Sequence, residues 1–396
     1  MIDLLADTGR SASVTPGAGL RIGYLTEWPP YAETGVLRKV IGQVRAWREL
    51  GAAVEIFSVS ARRDERPALS FEDFGMVLGA IPQQRLDKYP FARLGYVNKI
   101  LSVAPLVRAL RGFRPDVIYY RQNGPWYPGL AKVLAIAPTV LEVNTNEDVE
   151  HKLWSAFLGR FHKATQARAH DRMAGFVCVT GEIASKYRWR RKPVAVIGNS
   201  FWDEVKEPAP TGNSAPAFVF AGSQMGVSAN WHGVDKVFAL AAAMPDSTFH
   251  IVGMTRDDFP QAPGGSNVRF HGNLRAADLA AVLAVSDVGL GTLALHRKSM
   301  EEACPLKVRE YLMNRLPVVA GYREVQDELR TAPYVLDIGN RPDNVESNIE
   351  RIGAFAAAWT NRRVTADLSF LSTKTIEGRR IAFLAGIAGV GARARG

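Results

Sequence analysis

The sequence has few cysteines and no long apolar run. Its two cysteines, Cys178 and Cys304, stand far apart, without the paired spacing of a zinc or redox motif. This excludes a disulfide framework and favours a reducing compartment. No segment approaches the roughly 20 apolar residues that a membrane-spanning helix needs. The first residues carry acids where a signal peptide needs cations, so we expect a cytoplasmic protein.

Several catalytic motifs are also missing. The chain contains no Asp-x-Asp, no His-x-x-x-His, no Walker loop and no Gly-x-Gly-x-x-Gly fingerprint. Enzymes that hold a diphosphate through a divalent ion need carboxylate ligands, and Asp-x-Asp is the spacing that supplies them. We therefore predict no metal site and no cofactor.

Length and charge indicate two domains with an anionic partner. One hydrophobic core stops growing near about 250 to 300 residues, so a chain of 396 residues predicts two domains and a cleft between them. Residues 1–200 hold 28 basic and 18 acidic side chains, whereas residues 201–396 hold 21 of each. The excess is densest at 85–114 and 186–192. It favours acidic lipid, a phosphorylated acceptor or nucleic acid as partner, with a merely solvated basic face as the alternative.

Short β-branched runs alternate with helical segments in both halves, which is typical of doubly wound parallel sheets. The first half has predicted strands at 22–25, 54–59, 117–120, 139–143, 175–179 and 194–197. After a Pro-, Gly- and Ser-rich linker at 200–216, the second has them at 218–221, 248–252, 268–270, 288–291 and 317–320. The pattern predicts an α/β fold with two Rossmann-like domains, 1–200 and 201–396, and a helix at about 376–390 that packs back on the first.

The strongest chemical signal lies at 289–322. Pro305 suits the first position of a helix, whose N–H groups can hold a phosphate. Lys307 in the first turn can neutralise a diphosphate, and Glu310, one turn further on, can accept two ribose hydroxyls. Glu302, in the preceding loop, can reach a sugar. A surface helix with a Lys307–Glu310 pair is the alternative interpretation.

This pattern, followed by Glu-Tyr-Leu and Pro-Val-Val, resembles glycosyltransferase family 4. The resemblance implies the GT-B fold, in which two Rossmann-like domains face a central cleft, and a retaining, metal-independent hexosyltransferase that uses a nucleotide-sugar. It also implies that Glu302 faces the transferred sugar, that Glu310 holds the donor ribose and that Lys307 stabilises the leaving diphosphate. We therefore predict Glu302 and Lys307 as the catalytic residues.

The resemblance extends to other donor-binding positions, with two departures. Ser223 and His232 occupy places where the family has cations, so diphosphate neutralisation must rest on Lys307 and Arg297, or the donor differs, or activity is lost. The remaining predicted donor residues are Gly35, which opens the first helix, together with Gly222, Gly253, His271 and Leu306.

For the acceptor we predict Asn144, Asn146 and His151, which follow a strand of the first domain; helix capping by Asn146 is the alternative. The acceptor we expect is a surface polysaccharide or lipid-linked glycan at the inner membrane face, because 85–114 mixes cations with apolar side chains. Three other functions remain open: a nucleotide-sugar 2-epimerase, a nucleic-acid-binding or glucosylating protein, and a non-catalytic remnant.

Overall fold

The computed structural model describes residues 17–27, 35–59, 76–77, 93–122, 124, 126–147, 149, 156–222, 230–260 and 266–393. The predicted His151 and Ser223 lie outside these residues. Within them the chain forms two large parallel sheets, one in each half. We call the units built on these sheets the N-terminal and C-terminal domains.

The sheet of the N-terminal domain has seven strands in the order β3-β2-β1-β4-β5-β6-β7. Every neighbouring pair is parallel. All residues of β4 and β5 are buried, because helices cover both faces, and this explains why their sequences are largely apolar. The strands are β1 Arg21–Thr26, β2 Ala53–Ser58, β3 Met76–Val77, β4 Val117–Arg121, β5 Thr139–Val143, β6 Gly175–Cys178 and β7 Val194–Val196.

Helices connect these strands and leave the carboxyl ends of the strands at one edge. Helix α1 buries Leu37, Val40 and Val44 on one side, which are spaced as an amphipathic helix requires. The helices are α1 Gly35–Glu49, α2 Arg93–Phe113, α3 Leu130–Leu134, α4 Ala156–His170 and α5 Gly181–Ser185, followed by a 3-10 turn at Arg188–Arg190.

The C-terminal domain repeats this plan with six parallel strands in the order β10-β9-β8-β11-β13-β15. A separate two-stranded ribbon joins β12 to β14. The strands are β8 Ala217–Ala221, β9 Thr248–Val252, β10 Val268–Phe270, β11 Val288–Leu290, β12 Glu302–Ala303, β13 Val318–Ala320, β14 Arg323–Glu324 and β15 Val335–Asp337. Two doubly wound sheets confirm the predicted fold class.

The helices of the C-terminal domain include α8, which begins where Pro305 predicted. They are α6 Val234–Ala243, α7 Ala276–Ala284, α8 Leu306–Met313, α9 Asp327–Arg330, α10 Ile349–Trp359 and α11 Thr373–Arg393, with 3-10 turns at Asn230–His232, Arg256–Asp258, Leu295–Lys298, Glu346–Asn348 and Ser369–Leu371. A search of the described residues found no helix with the length and apolarity to cross a bilayer.

The last helix, α11, returns to the N-terminal domain and packs against α1. It brings a buried ion pair, because the Arg380 guanidinium donates to the Glu377 carboxylate over 2.8 Å. Glu377 also accepts the Trp47 indole N–H over 2.9 Å and the Ser200 hydroxyl over 3.0 Å. Arg380 in turn donates to the Tyr119 hydroxyl over 2.9 Å. These contacts tie the end of the chain to the core of the first domain.

Candidate active site

Helix α1 of the N-terminal domain and helix α8 of the C-terminal domain meet near their N-termini. Gly35 begins α1, and a Cβ atom built on it would lie 3.7 Å from Cδ1 of Leu306, which begins α8. One turn into each helix, Arg38 donates to both carboxylate oxygens of Glu310, over 2.7 and 3.3 Å. The structure therefore brings three predicted donor residues together at two helix N-termini. Arg38 is an addition that sequence analysis missed.

Glu310 is 9% exposed, and its surroundings shift the pKa of its carboxyl group in opposite directions. Burial raises the pKa of its carboxyl group, while the Arg38 guanidinium lowers it. The net shift is upward. The carboxylate therefore depends on a hydrogen-bond donor, which is Arg38 here and can equally be a ribose hydroxyl.

Lys307 lies half-buried in the first turn of α8, and its Nζ atom is buried without a hydrogen-bond partner among the described residues. Its Nζ atom sits 3.7 Å from the centre of the Phe220 ring, at the end of β8. Burial lowers the pKa of the Lys307 ammonium to about 7. A buried cation balanced only by an aromatic face is costly, so this position is suited to an anion that enters from outside.

His232 supplies no positive charge beside Lys307. Burial lowers the pKa of the His232 imidazole well below its usual value, and the neighbouring Lys307 and Lys298 ammonium groups lower it further. The ring is therefore neutral at pH 7. Lys307, and not His232, is therefore suited to neutralise a diphosphate at this point.

Arg297, the second predicted cation, is engaged elsewhere. Its guanidinium forms two hydrogen bonds with the Asp235 carboxylate, over 2.8 and 2.7 Å, and one with the Asn230 carbonyl over 2.9 Å. Asp235 stands in the first turn of α6. The pair holds the 3-10 turn before α6 to the loop that carries Arg297, which leaves Arg297 fewer free donors for a phosphate.

The predicted Gly222, Gly253 and His271 directly follow β8, β9 and β10. A Cβ on Gly222 would lie 2.5 Å from Cε of Met254, so a larger residue there requires the end of the Met254 side chain to move. Gly253 has φ of +85°, and its N–H donates to the Gly272 carbonyl over 2.6 Å. His271 directly precedes Gly272, and its Nε2 atom lies 2.9 Å from Nδ1 of His250.

Burial lowers the pKa of His250 to about 4, and the neighbouring His271 contributes to the shift. Both rings of this pair are stacked. One neutral imidazole therefore donates to the other, which fixes the orientation of His271 at the strand end.

Glu302 forms contacts that its predicted role does not require. Its carboxylate accepts the Glu182 backbone N–H of the N-terminal domain over 2.8 Å. The other oxygen accepts from the Arg323 guanidinium over 2.7 Å. The Glu302 side chain is 9% exposed. The structure thus brings Glu302 to the boundary between the domains, where sequence analysis offered no partner for it.

Arg309 anchors α8 from its buried side. Its guanidinium pairs with the Glu324 carboxylate over 2.8 Å and donates to the Asn199 carbonyl over 3.0 Å. A further bond of 2.8 Å reaches Sγ of Cys304. Arg309 is fully buried. The helix that carries Lys307 and Glu310 is therefore fixed to the chain segment that leaves the N-terminal domain, an arrangement that local sequence spacing cannot indicate.

On the acceptor side, Asn144 belongs to a buried network of charges. Its Oδ1 accepts from Lys39 Nζ over 3.2 Å and from the Arg121 guanidinium over 3.4 Å. Both cations also bind Glu142, over 2.6 and 2.7 Å. Burial lowers the pKa of Lys39 to about 8, although Glu142 opposes the shift. The network orients the Asn144 amide at the carboxyl end of β5.

Asn146 is 8% exposed and lines a cavity of about 200 Å³ in the N-terminal domain. The cavity also has a basic wall, formed by Lys186 and Arg190, beside the Trp189 indole. Thr145 contributes a buried hydroxyl that has no partner among the described residues. The cavity combines hydrogen-bonding groups with two basic side chains and the acidic Glu147. No cluster of three or more potential metal ligands was found in the described part of the chain.

Comparison with protein families gives one match. Residues 34–201 match the model of the family described as Glycosyltransferase Family 4. The matched segment lies in the N-terminal domain, outside the Glu302 to Glu310 motif on which the sequence prediction rested. The family prediction is therefore confirmed by a separate part of the chain. Comparison with curated proteins gave no match.

Solved structures share the whole architecture at low sequence identity. Sucrose-phosphate synthase from Thermosynechococcus elongatus is similar over 95% of this chain and 98% of its own, with a TM-score of 0.61 and 14% identity. WaaG, a glycosyltransferase involved in lipopolysaccharide biosynthesis, is similar over 94% of this chain and 98% of its own, with a TM-score of 0.59 and 12% identity. UDP-GlcNAc 2-epimerase from Neisseria meningitidis, bound to UDP-GlcNAc, is similar over 93% of this chain and 100% of its own, with a TM-score of 0.54 and 11% identity. These likenesses confirm the GT-B fold.

Proposed function

We propose that this chain, a glycosyltransferase of family 4 with the GT-B fold, moves a hexosyl group from a nucleotide-sugar to a glycan or lipid-linked acceptor in surface polysaccharide biosynthesis. One observation carries the donor part of the proposal. Among the described residues, the buried Nζ atom of Lys307 at the N-terminus of α8 has no anionic partner. A diphosphate supplies the missing negative charge.

In the proposed donor complex, the diphosphate lies against Lys307 and the first N–H groups of α8. The ribose hydroxyls donate to Glu310 and displace the bond from Arg38. The glycines at 222 and 253 and His271 flank the base. Lys307 stabilises the charge that develops on the leaving diphosphate, so the reaction needs no metal ion or other cofactor. Retention at the anomeric carbon is what the family resemblance implies.

The acceptor proposal rests on the N-terminal domain. Asn144 is held by two cations, and Asn146 lines a cavity with Lys186 and Arg190. His151 remains a predicted contact. An acceptor that carries phosphate groups or acidic sugars suits this charge. Closure of the two domains over both substrates excludes water and so limits hydrolysis of the donor.

Helix α2 supports a contact with the inner face of an anionic membrane. Val97 and Leu101 are 41% and 53% exposed, one turn apart, and Arg108 and Arg111 are exposed further along the same helix. Apolar side chains flanked by cations are typical of interfacial helices. The proposed location is therefore the cytoplasm, at the membrane surface.

Liposome flotation at low salt tests the membrane contact. We expect the protein to float with anionic vesicles and not with neutral ones, and Leu101→Asp to weaken the association. The matched control is Val285→Asp, which alters an apolar side chain that is 48% exposed on the other domain. Equal flotation of both variants, or no preference of the wild type for anionic vesicles, contradicts this part of the proposal.

A thermal-shift screen across UDP-, GDP-, ADP- and dTDP-sugars tests the donor site. A ligand present at 100 times its Kd stabilises the native state by about 2.7 kcal/mol, a readily measured rise in Tm. Lys307→Met should lose the rise, and Lys374→Met, an exposed lysine of α11, should keep it. If no nucleotide-sugar raises Tm, the donor proposal fails and a non-catalytic protein is favoured.

The second candidate function would use the same nucleotide-sugar as its substrate. The fold is shared with a nucleotide-sugar 2-epimerase, and an epimerase converts its nucleotide-sugar with no acceptor present. We expect this chain to consume donor only when acceptor is added. Conversion of the purified nucleotide-sugar alone to its 2-epimer, followed by NMR, would establish the epimerase instead.

A further inference from the structure

Two glutamates from different domains bind each other's backbone. The Glu302 carboxylate accepts the Glu182 N–H over 2.8 Å. In return, the Glu182 carboxylate accepts the N–H groups of Glu301 and Glu302, over 2.8 and 3.0 Å. The three bonds join α5 of the N-terminal domain to β12 of the C-terminal domain. We call this pair the glutamate latch.

The latch satisfies N–H groups that neither domain satisfies alone. The first N–H groups of a helix have no intrahelical acceptor. In α5, the Thr180 hydroxyl accepts the Ile183 N–H over 3.1 Å, and Glu302 provides the acceptor for Glu182. All three bonds are charge-assisted, and bonds of this kind are about twice as strong as neutral ones. Separation of the domains would expose all of these groups to water, so the latch favours the closed arrangement.

The latch also fixes Glu302, the glutamate that the family resemblance places against the transferred sugar. Glu302 is held from one side by the Glu182 N–H and from the other by Arg323, at 2.7 Å. A carboxylate has about four lone-pair positions, so the two bonds leave room for a sugar hydroxyl. A side chain held in this way is oriented before the substrate arrives, which is the condition for efficient positioning.

We propose that Glu182 is a positioning residue: it closes the N-terminal domain onto β12 and so sets the orientation of the Glu302 carboxylate toward the sugar. The inference rests on the proposed function for the role of Glu302 alone. The latch itself is a contact between domains that exists without substrate.

Hydrogen exchange of the intact protein, without donor or acceptor, tests the latch. In Glu182→Ala we expect faster exchange in the peptide that contains Glu301 and Glu302. In Glu302→Ala we expect faster exchange at the start of α5. Glu207→Ala removes an exposed carboxylate of the linker and should leave both peptides unchanged. Unaltered exchange in both latch variants overturns the latch, whatever the enzyme catalyses.

Steady-state kinetics test the positioning role. A misplacement near 1 Å costs about 100-fold in rate, so we expect Glu182→Ala to lower kcat by about 10- to 100-fold. The donor KM should change by less than about threefold, because most of the proposed donor contacts lie in the other domain. Glu182→Gln keeps one acceptor oxygen and should recover part of kcat. In a Glu302→Gln background, Glu182→Ala should have little further effect.

A wild-type or raised kcat in Glu182→Ala overturns the positioning role, since the latch would then be irrelevant or would withhold Glu302 from the sugar. Multiplicative losses in the double variant overturn it as well. If the exchange experiment succeeds while the wild type transfers no sugar from any donor, the latch stands and the proposed function fails.

Discussion

Lys307 offers a quantitative test of the donor site, because its protonation must change when an anion binds. Burial lowers the pKa of its ammonium to about 7. At pH 8 about 9% of the free protein then carries the charge. A diphosphate beside the amine restores the charged form. Donor binding at pH 8 should therefore take up about 0.9 proton, and at pH 6 only about 0.1.

Isothermal titration in buffers of different ionisation enthalpy measures this uptake directly. The slope of the observed enthalpy against the buffer enthalpy is the number of protons bound. Because protonation costs about 1.4 kcal/mol per pH unit above the pKa, Kd should rise about tenfold between pH 8 and pH 9. Lys307→Met should bind weakly, with neither proton uptake nor this pH dependence. The same uptake in Lys307→Met, or none in the wild type, refutes the reasoning.

The stability of the free protein provides a second measure of the same group. The folded pKa of about 7 lies below the value of 10.5 for an exposed lysine. Between these values the unfolded chain binds the extra proton, so stability rises as pH increases. From this group alone, the free energy of unfolding should increase by about 1.4 kcal/mol per pH unit between about pH 7 and 10. Urea titrations of the wild type and Lys307→Met should differ by this slope.

Two further substitutions test the packing around the site. Arg380→Met leaves Glu377 buried without its cation, and removal of one member of a buried pair costs about 3 to 5 kcal/mol, which urea unfolding at pH 7 should detect. In Gly289→Ala the new Cβ would lie 2.3 Å from Cδ2 of Tyr311, so we expect an overpacking loss of about 1 to 3 kcal/mol in the same assay. Gly386→Ala meets no atom within 4 Å and serves as the control.

For the ion pair, the control is Arg379→Met, which changes an exposed arginine one position away. Its loss should remain below about 1 kcal/mol, as for other surface substitutions. Equal losses at Arg379 and Arg380 would mean that the pair is not the source of the stability. A wild-type Tm for Gly289→Ala would show that Tyr311 can move aside.

The fold was predictable because its signals are local. A strand buried on both faces reads as a short apolar run, and the run at 139–143 became β5 with the predicted bounds. The start of α8 was equally local, since proline suits the first turn of a helix. Alternation of such runs with amphipathic helices leaves few architectures, and a pair of doubly wound sheets is the one that buries both sets of faces.

The site was predictable only as a set of residue types. The sequence by itself determined that Lys307 and Glu310 lie one turn apart on a helix at a strand edge, because helical spacing depends on the local chain alone. It could not indicate that Lys307 lies over the Phe220 ring, or that Glu310 binds Arg38, since these partners are 87 and 272 positions away.

Tertiary structure also decided which charges remain available. Arg297 is a cation in sequence, yet its pairing with Asp235 engages the guanidinium, whereas Lys307 has no hydrogen-bond partner in the part of the chain that the structure describes. Glu302 is joined to Glu182 across 120 positions, because the two domains close on each other's unpaired N–H groups. Spacing along the chain determines which side chains share a helix or strand. Only the packing of the two domains determines which of them meet and which keep their charge.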